Sequence, residues 1–435
     1  MGGRIAALAV CTLAIAAAMA PGSALANASL ATGYGPTAVT DRDGVTHVTY
    51  GIRESLGPDG TGYCRIAPGT ATCKDNRDFA LPAGCVHYEP DPNSSGGASD
   101  VDRPRVLITQ FGDVILKTHA FCNVRFGTTY DDDTVIYQST DGGDTFADPV
   151  ILGLRSTITG QENGDRRRVW TDAVLDPADR RIVTVVSQDY TFSDTAQYGG
   201  VSVQGAPLGI TATTVRAKLT DSTDATTRTG GGWHPAIVQR GAGSFVVAWV
   251  DAAGKIQLRG FDKPGAALSA INDAANWTPI AGPPETADRP QLVTGPLGTF
   301  LMYRVIQDDG SGNPPANWVL RRLDGTTLGP ARPVPGVDVS VPGGSQINFY
   351  GYDQAASATL VEDQANGRLH FARWMPTSNV GPNHIQYMTS DDGVGWSTNA
   401  LLPPSGAGGS SDFGVGGGWL PDPWLGESTG AQGFN

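Results

Sequence analysis

Charged and aromatic side chains stand immediately before several apolar, strand-like segments of this sequence. An Asp-Arg dipeptide precedes a proline at 102–104 and again at 288–290, and Trp-His precedes a proline at 233–235. Arginine presents a planar fork of donors that binds carboxylates through paired hydrogen bonds, and a tryptophan face packs against a sugar ring. If the fold brings them together, these residues suit an anionic or sugar-like ligand. The structural alternative is that each Asp-Arg pair is a salt bridge and each tryptophan belongs to the core.

The segments that follow these residues share a repeat. In four of them a proline is followed eight residues later by a glycine, at Pro36/Gly44, Pro104/Gly112, Pro235/Gly243 and Pro290/Gly298. Two looser copies begin near residues 171 and 358, and each unit holds further short strand-like runs. Six units of four strands predict an all-β fold, a six-bladed β-propeller of four-stranded antiparallel blades. Two ordinary β-sandwiches are the alternative, but they leave the recurrent proline–glycine spacing unexplained.

The residues just before each innermost strand of such a propeller should surround the mouth of its axial channel. The charged and aromatic residues expected there are Asp102, Arg103, Arg168, Trp170, Trp233, His234, Asp288 and Arg289. Long segments predicted as loops should extend on the same face, and they cover 51–62, 74–103, 119–132, 152–170, 188–208 and 336–357. A rigid scaffold with long loops on one face commonly carries its ligand site there. The alternative is that these long segments are insertions that the fold accommodates and that bind no ligand.

Two further stretches, STDGGDTF at 139–146 and TSDDGVGW at 389–396, combine short polar acceptors, a glycine and a closing aromatic. These residue types predict a tight turn, because the side chains bond nearby backbone N–H groups and glycine accepts positive φ. The matched positions are Ser139, Asp141, Gly143, Phe146, Thr389, Asp391, Gly393 and Trp396. Both stretches resemble Asp-boxes, also called BNR repeats, of the sialidase superfamily of six-bladed propellers. The resemblance implies a structural role for them, on the face opposite the active site.

The same resemblance implies an activity. Sialidases bind the substrate carboxylate with three arginines and use a tyrosine nucleophile activated by glutamate, with an aspartate as acid/base. Tyr350 and Tyr352 are the tyrosine candidates here, and Asp102 and Asp288 are the acid/base candidates. The first innermost strand reads GYGPTAV and lacks the family's arginine. Two hypotheses remain: a glycoside hydrolase acting on acidic or complex glycans, or a non-catalytic propeller that binds glycans or a cell-surface polymer.

The amino-terminal residues predict export. A basic residue, a short apolar core and small residues at the predicted cleavage point, after Ala26 or Ala28, are typical of a signal peptide. We therefore expect a signal peptide at 1–28, the propeller at 29–403 and a Gly-rich tail at 404–435. The mature protein would be secreted, extracellular or periplasmic, and no later segment predicts a membrane anchor.

Four cysteines remain after removal of that peptide, and an even number in an exported chain favours disulfides. Three pairings are open, and the preferred set is Cys64–Cys73 with Cys85–Cys122. The formal charge of −13 argues against nucleic acid as a partner. We expect neither a cofactor nor a metal, because the histidine and cysteine spacings match no metal site. The three aspartates at 131–133 could bind calcium, but a solvated acidic loop is favoured.

Overall fold

The protein is described from a computed structural model. It describes residues 34–41, 43–52, 60–68, 73–86, 104–109, 112–125, 129–153, 166–176, 181–192, 196–207, 217–220, 233–251, 253–306, 316–335, 358–362, 367–375, 384–397 and 400–402. The predicted signal peptide and tail lie outside these residues.

The described residues form an all-β fold of six antiparallel sheets, numbered here in chain order. Sheet 1 contains β1 (Tyr34–Thr40), β2 (Thr46–Ile52), β3 (Gly60–Ile66) and β4 (Cys73–Ala80); sheet 2 contains β5 (Cys85–Val86), β6 (Arg105–Ile108), β7 (Val114–Arg125), β8 (Thr129–Ser139) and β9 (Val150–Gly153). Sheet 3 contains β10 (Arg166–Asp176), β11 (Arg181–Phe192), β12 (Ala196–Pro207) and β13 (Ala217–Lys218); sheet 4 contains β14 (Trp233–Gly241), β15 (Ser244–Val250), β16 (Ile256–Asp262) and β17 (Thr278–Ile280). Sheet 5 contains β18 (Ala287–Gly295), β19 (Gly298–Ile306), β20 (Ala316–Asp324), β21 (Thr327–Leu328) and β22 (Arg332–Pro333); sheet 6 contains β23 (Ala358–Glu362), β24 (Leu369–Met375), β25 (His384–Ser390) and β26 (Ala400–Leu402). The single short helix, α1 (Leu268–Ile271), is the only α-helix in the described part of the chain. The predicted all-β class and four-stranded antiparallel sheets are confirmed.

The proline–glycine repeat has a physical cause in the first hairpins of the four sheets that carry it, sheets 1, 2, 4 and 5. Pro36, Pro235 and Pro290 each lie within a break of register near the start of the first strand. Proline has no N–H to donate to the ladder, so it is accommodated at such a bulge. The repeat glycines Gly44, Gly112, Gly243 and Gly298 all have positive φ, from 63° to 118°, in the turn to the second strand. Each repeat therefore marks the two ends of one first strand.

Sheet 2 departs from this plan because its first strand is interrupted. Both β5 and β6 pair antiparallel with β7 along the same edge, Cys85 opposite Cys122 and Arg105 opposite Lys117. The interruption begins after Val86, and the chain rejoins this edge at Arg105. The two short pieces therefore act together as the first strand of this sheet.

Several segments predicted as loops are instead paired strands. Residues 119–132 continue the β7–β8 ladder to the Arg125–Thr129 pair, and residues 188–208 continue the β11–β12 ladder to the Phe192–Ala196 pair. Part of the predicted loop 74–103 forms β4. In the first two cases the backbone extends a hairpin ladder, and in the third it adds the outer strand of sheet 1.

Consecutive sheets contact one another through their first strands, which meet in the order β1, β6, β10, β14, β18 and β23. Buried polar side chains join these strands. Asp172 of β10 accepts the backbone N–H of Ile237 in sheet 4 at 3.0 Å and pairs with the Arg105 guanidinium of sheet 2 at 2.6 Å. Gln291 of β18 accepts the N–H of Leu360 in sheet 6 at 3.1 Å. These bonds fix the spacing between neighbouring sheets where their first strands approach.

Apolar side chains fill the spaces between the sheets. Sheets 3 and 4 share a cluster that includes Val185, Phe245 and Trp277, and sheets 4 and 5 share one that includes Val246 and Tyr303. Burial of these aliphatic and aromatic side chains is the main stabilising contribution to such packing. The core is therefore divided into layers between neighbouring sheets.

A chain of hydrogen bonds crosses the contact between sheets 1 and 2. His47, which is buried, lies 3.2 Å from the Asp41 carboxylate through Nε2 and 2.6 Å from the Tyr63 hydroxyl through Nδ1. Because a carboxylate only accepts, Nε2 carries the proton, and the Tyr63 hydroxyl donates to Nδ1 of the neutral ring. The Tyr63 hydroxyl in turn lies against Gly143 of sheet 2. Arg65 donates to the carbonyl of Gly142 at 3.1 Å, so the same turn is also held from sheet 1 by a cation.

The predicted Cys64–Cys73 disulfide is confirmed and links β3 to β4. Cys85 is also disulfide-bonded, and its position opposite Cys122 fits the second predicted pair. No helix among the described residues has the length and hydropathy needed to cross a membrane. The described residues likewise hold no cluster of three or more His, Cys, Asp or Glu side chains suited to a metal ion.

Candidate functional site

The start of β18 carries two of the predicted site residues, Asp288 and Arg289. The β18–β19 register breaks between Asp288 and Gln291, and within this break Arg289 has φ of 51°. It is the one non-glycine residue with positive φ in the described part of the chain. Such a conformation costs free energy for a residue with a side chain and persists only where the surroundings hold it. The Arg289 side chain is 1% exposed, so it is a buried cation at this end of sheet 5.

Asp288 forms an ion pair across the same hairpin. Its carboxylate accepts from Arg304 Nε at 2.7 Å and also from the terminal Nη2 of that guanidinium. Both residues are largely buried, and paired hydrogen bonds of this kind are strong and directional. Asp288 therefore holds Arg304 in place. At this end of sheet 5 the Arg289 and Arg304 guanidinium groups and the Asp288 carboxylate come from neighbouring positions of one hairpin.

The other predicted mouth residues fall in two groups. Arg168 and Trp170 lie in β10, opposite Asp189 and Ser187, and Trp233 and His234 begin β14. β10 begins at Arg166, so Arg168 and Trp170 lie within a first strand and not in the loop predicted before it. The second group, Asp102, Arg103, Tyr350 and Tyr352, lies outside the described residues. The structure thus brings Asp288 together with Arg304, a partner that sequence reasoning had not named.

A cluster of Glu285, Tyr303 and Arg321 lies between sheets 4 and 5 and was not predicted. Arg321 donates to the Tyr303 hydroxyl at 2.7 Å and to the Glu285 carboxylate at 2.6 Å, and Tyr303 lies 3.3 Å from the second oxygen of that carboxylate. Burial raises the carboxyl pKa of Glu285, but its own backbone hydrogen bond and Arg321 outweigh this and bring the pKa below its usual range. The β19–β20 ladder brings Tyr303 near Arg321, and Glu285 joins them from the segment before β18, so no local sequence pattern marks the cluster.

The tyrosine of this cluster has the wrong setting for a nucleophile. Tyr303 is fully buried in the apolar layer between the sheets. Burial raises the pKa of Tyr303 to about 12, against the opposing effect of Arg321. The hydroxyl therefore stays protonated near neutral pH, which is unfavourable for a nucleophile. The cluster stabilises the contact between the two sheets.

The turn at 139–146 has the geometry predicted for it. The Ser139 hydroxyl donates to Asp141 at 2.7 Å and accepts the N–H of Gly143 at 2.8 Å, while Asp141 accepts the N–H of Thr145 at 2.8 Å. Hydrogen bonds from the Thr145 side chain, and then from Ser139, hold the pKa of the Asp141 carboxyl well below its usual range. Phe146 packs edge-on against aromatic rings of sheet 1, with its centroid 5.1 Å from that of Tyr63. The turn therefore joins β8 to β9 within sheet 2 and packs against sheet 1.

The turn at 389–396 uses different residues from those predicted. Ser390 accepts the N–H of Gly393 at 2.9 Å, and Asp392 accepts the N–H groups of Val394 and Gly395 at 2.7 and 2.8 Å. Thr389 remains in the β24–β25 ladder, and Asp391 binds Arg368 at the surface. β25 runs one residue further than expected, to Ser390. Ser390 and Asp392 therefore accept the hydrogen bonds of the turn that were predicted for Thr389 and Asp391.

The positions of Gly393 and Trp396 in this second turn follow the prediction. Gly393 has φ of 69°, a left-handed conformation that glycine adopts without steric cost. Trp396 packs edge-on against Phe371, with ring centroids 6.0 Å apart. Both turns therefore close with an aromatic ring that is packed into the core.

No family model matches this chain, and neither does any curated protein. Sialidases are among the similar solved structures. A Hadza microbial sialidase is 13% identical over 79% of this chain with a TM-score of 0.41, and the match spans 66% of that protein. An α-L-arabinanase from Penicillium chrysogenum, complexed with arabinobiose, is 16% identical over 87% of this chain and 85% of its own, with a TM-score of 0.38. An α-L-arabinofuranosidase from Fusarium graminearum, in complex with an iminosugar inhibitor, is 13% identical over 82% and 92%, with a TM-score of 0.41.

Proposed function

We propose that this protein is an exported, sialidase-like six-bladed propeller that acts as a glycoside hydrolase on acidic or complex glycans. Residues 29–403 form the propeller, 1–28 are the signal peptide and 404–435 the tail. The serial contact of the first strands supports the arrangement of the sheets about one axis. In this arrangement the starts of the first strands surround the mouth of the axial channel, and the ligand binds there.

The observation that carries the proposal is the buried Arg289 in its left-handed backbone, beside the Asp288–Arg304 pair. The guanidinium groups of Arg289 and Arg304 place two positively charged side chains at this end of sheet 5. The carboxylate of an acidic sugar supplies the opposite charge and fits the planar guanidinium fork. Residues held in sparsely populated backbone conformations also gather at binding sites.

The proposal divides the remaining residues by role. Arg103, Arg168 and Arg289 bind the acidic group, Trp170, Trp233 and His234 contact the sugar, and Tyr350, Tyr352 and Asp102 carry the chemistry. Asp288 positions Arg304, because a carboxylate engaged through both oxygens is a poor proton donor or acceptor. The turns at 139–146 and 389–396 are Asp-boxes that each join the last two strands of one sheet, away from the site.

Hydrolysis is tested with the purified protein on a panel of fluorogenic sialosides, uronides and neutral glycosides. We expect release from an acidic member, lost in Arg289→Ala and weakened through a higher KM in Arg289→Lys. Arg322→Ala is the matched control, because Arg322 is an exposed arginine of the same sheet that pairs with Asp324. Melting curves of all variants separate loss of activity from loss of the fold. A protein that releases none of the panel contradicts the hydrolase proposal.

A second candidate, non-catalytic glycan binding, is favoured by one observation. Asp288, a predicted acid/base residue, is engaged by Arg304 in the structure. Binding to acidic members of a glycan array, lost in Arg289→Ala and unaccompanied by hydrolysis, would support this candidate. Absence of both binding and hydrolysis would contradict an acidic-glycan site at the start of β18.

A further inference from the structure

The outer strand of sheet 1 differs from those of the other sheets. β4 has eight residues, whereas the outer strands β9, β13, β17, β21 and β26 have two to four. Across the part of the chain that the structure describes, no strand pairs with the outer edge of β4. Such an edge presents a row of backbone N–H and C=O groups that can pair with another strand. Natural proteins shorten, cover or charge such edges, which prevents pairing with another chain. The side chains of β4 therefore determine whether its edge can pair with a second strand.

The charges along β4 are ordered. Lys74, Asp75, Asn76, Arg77 and Asp78 read positive, negative, neutral, positive, negative. An antiparallel copy of this strand, paired about Asn76, places every charge opposite its complement: Lys74 faces Asp78, and Asp75 faces Arg77. Opposite charges directly across an antiparallel pair are stabilising, and like charges are destabilising. The strand is therefore complementary to itself in this one register.

Neighbouring registers lack this property. Moving the two-fold centre by one residue, the smallest step that keeps the side chains on matching faces, places Asp75 opposite its own copy in one direction and Arg77 opposite its own copy in the other. Parallel pairing in register sets every charge against its own kind. The sequence of β4 thus selects both the antiparallel direction and the centre at Asn76.

Contacts within sheet 1 also fix the conformation of β4. The disulfide from Cys64 to Cys73 fixes its start, and the β3–β4 register runs to its end at Ala80. The Tyr50 hydroxyl donates to the Asn76 side chain at 2.7 Å, which orients the residue at the proposed centre. A preorganised edge loses little conformational entropy when it binds.

The side chains that would meet across the two-fold are accessible. Lys74, Asn76 and Asp78 are exposed, and Asp75 is 30% exposed while bonded to Arg65. The alternate face of the strand carries Phe79, which packs toward sheet 2. Pairing at the edge therefore disturbs no core contact.

We propose that β4 is a self-association surface through which two copies of this chain pair antiparallel about Asn76. The two four-stranded sheets then form one continuous sheet of eight strands across a two-fold axis. Two short strands bury less surface than a standard stable interface, so the dimer is weak and reversible. This proposal does not depend on the glycan site.

Sedimentation velocity of the purified protein over a wide concentration range, at low and high salt, tests it. We expect a monomer–dimer equilibrium that high salt weakens. Lys74→Glu replaces two attractive pairs with two repulsive ones and should raise the dimer dissociation constant at least about tenfold. The double variant Lys74→Glu/Asp78→Lys restores opposite charges and should regain dimerisation.

Lys218→Glu is the matched control, because Lys218 is an exposed lysine on β13, the outer strand of sheet 3. It makes the same change of net charge and should leave the dissociation constant unchanged. A wild-type protein that stays monomeric at every concentration overturns the proposal. So does equal behaviour of the Lys74 and Lys218 variants, or a double variant that fails to regain dimerisation while its melting curve matches the wild type.

Discussion

Single residues determine how tightly sheet 1 holds the turn of sheet 2. Gly142 and Gly143 are neighbours with the same left-handed conformation, φ of 72° and 91°. A Cβ on Gly142 would meet no atom within 4 Å, whereas a Cβ on Gly143 would lie 2.1 Å from the Tyr63 hydroxyl oxygen. Alanine at Gly142 would therefore cost only the strain of a left-handed backbone, whereas alanine at Gly143 would add a steric clash with Tyr63.

Alanine at these two positions should have unequal effects. Gly142→Ala should lower the free energy of unfolding by about 1 kcal/mol, the cost of left-handed φ for a residue with a Cβ. Gly143→Ala should lower it by at least about 3 kcal/mol, because Tyr63 must also move and its hydrogen bond to His47 breaks. Denaturant unfolding measures both. Equal losses would show that the contact between Tyr63 and Gly143 is not tight.

His47 gives the same contact a pH dependence. Burial lowers the pKa of His47, while the hydrogen bond and charge of Asp41 oppose this effect and Arg65 adds to it. The hydroxyl of Tyr63 faces the other ring nitrogen. Because the native pKa is below that of the unfolded chain, the unfolded state takes up the proton first as the pH falls. The stabilising contribution of neutral His47 is therefore present above about pH 6.5 and is lost as the pH falls through that value toward the native pKa.

His47→Gln should reveal this contribution. We expect the free energy of unfolding of the wild type to fall more steeply between about pH 6.5 and 5 than that of the variant, since glutamine has no proton to take up. Unfolding at a series of pH values measures both slopes, and the variant corrects for the other histidines. Parallel slopes would mean that His47 titrates alike in the native and unfolded states.

At the scale of strands, polar side chains fix the spacing between neighbouring sheets. Asp172 joins three of them, since β10 carries it while Arg105 and the Ile237 N–H belong to the neighbours. Burial makes these bonds more valuable than surface ion pairs, because removal of the carboxylate leaves a cation and an N–H uncompensated. The exposed Arg322–Asp324 pair offers a direct comparison.

Asp172→Ala should lower the free energy of unfolding by about 3 kcal/mol, and Asp324→Ala by no more than about 0.5 kcal/mol. A double-mutant cycle of Asp172→Ala with Arg105→Met should show a coupling energy, because the second substitution removes the stranded cation. Additive effects would indicate that Arg105 and Asp172 act independently.

The strands were predictable where local chemistry sets them. Proline at a bulge and glycine at a positive-φ turn are requirements of the backbone, so their spacing identified the first strand of each repeat. The interrupted strand of sheet 2 was not predictable, because β5 and β6 are short and only β7 brings them together. In the second turn, Thr389-Ser390-Asp391-Asp392 offers two overlapping hydroxyl–carboxylate pairs, and the end of β25 decides between them.

The structural surroundings of the predicted site residues could be predicted only in part. Arg289 and Asp288 were recognisable because an Asp-Arg pair before a repeat proline is conspicuous. The partner of Asp288 was not, since Arg304 is set by cross-strand register and not by any local pattern. Burial of Arg289 depends in the same way on the packing around it. Sequence can identify such charged residues, while tertiary packing determines their exposure and their partners.

On the scale of the whole molecule, covalent links are unevenly distributed. The cysteines after the predicted signal peptide, Cys64, Cys73, Cys85 and Cys122, all fall in sheets 1 and 2. Sheets 3 to 6 contain none in their described strands. A disulfide acts mainly by restricting the unfolded chain between its ends. The amino-terminal sheets therefore depend on oxidising conditions more than the rest.

Replacing Cys64 and Cys73 together with alanine should lower the free energy of unfolding by about 2.5 kcal/mol, the value for a loop of this length. Hydrogen exchange should show faster exchange in β3 and β4, with the strands of sheets 4 and 5 unchanged. Equal acceleration throughout the chain would show that all the sheets unfold as one cooperative unit.

Apart from the divided first strand of sheet 2, every sheet is assembled from one continuous stretch of chain. Pairing partners within a sheet are consequently closer in sequence than residues of different sheets, so each sheet forms by closing short loops. During synthesis, a sheet could be completed soon after its last strand leaves the ribosome, before the next exists. Packing of one finished sheet against the next would then be the only step that requires the rest of the chain. A chain truncated after sheet 3 or sheet 4 should therefore retain the native hairpins of the sheets that it contains.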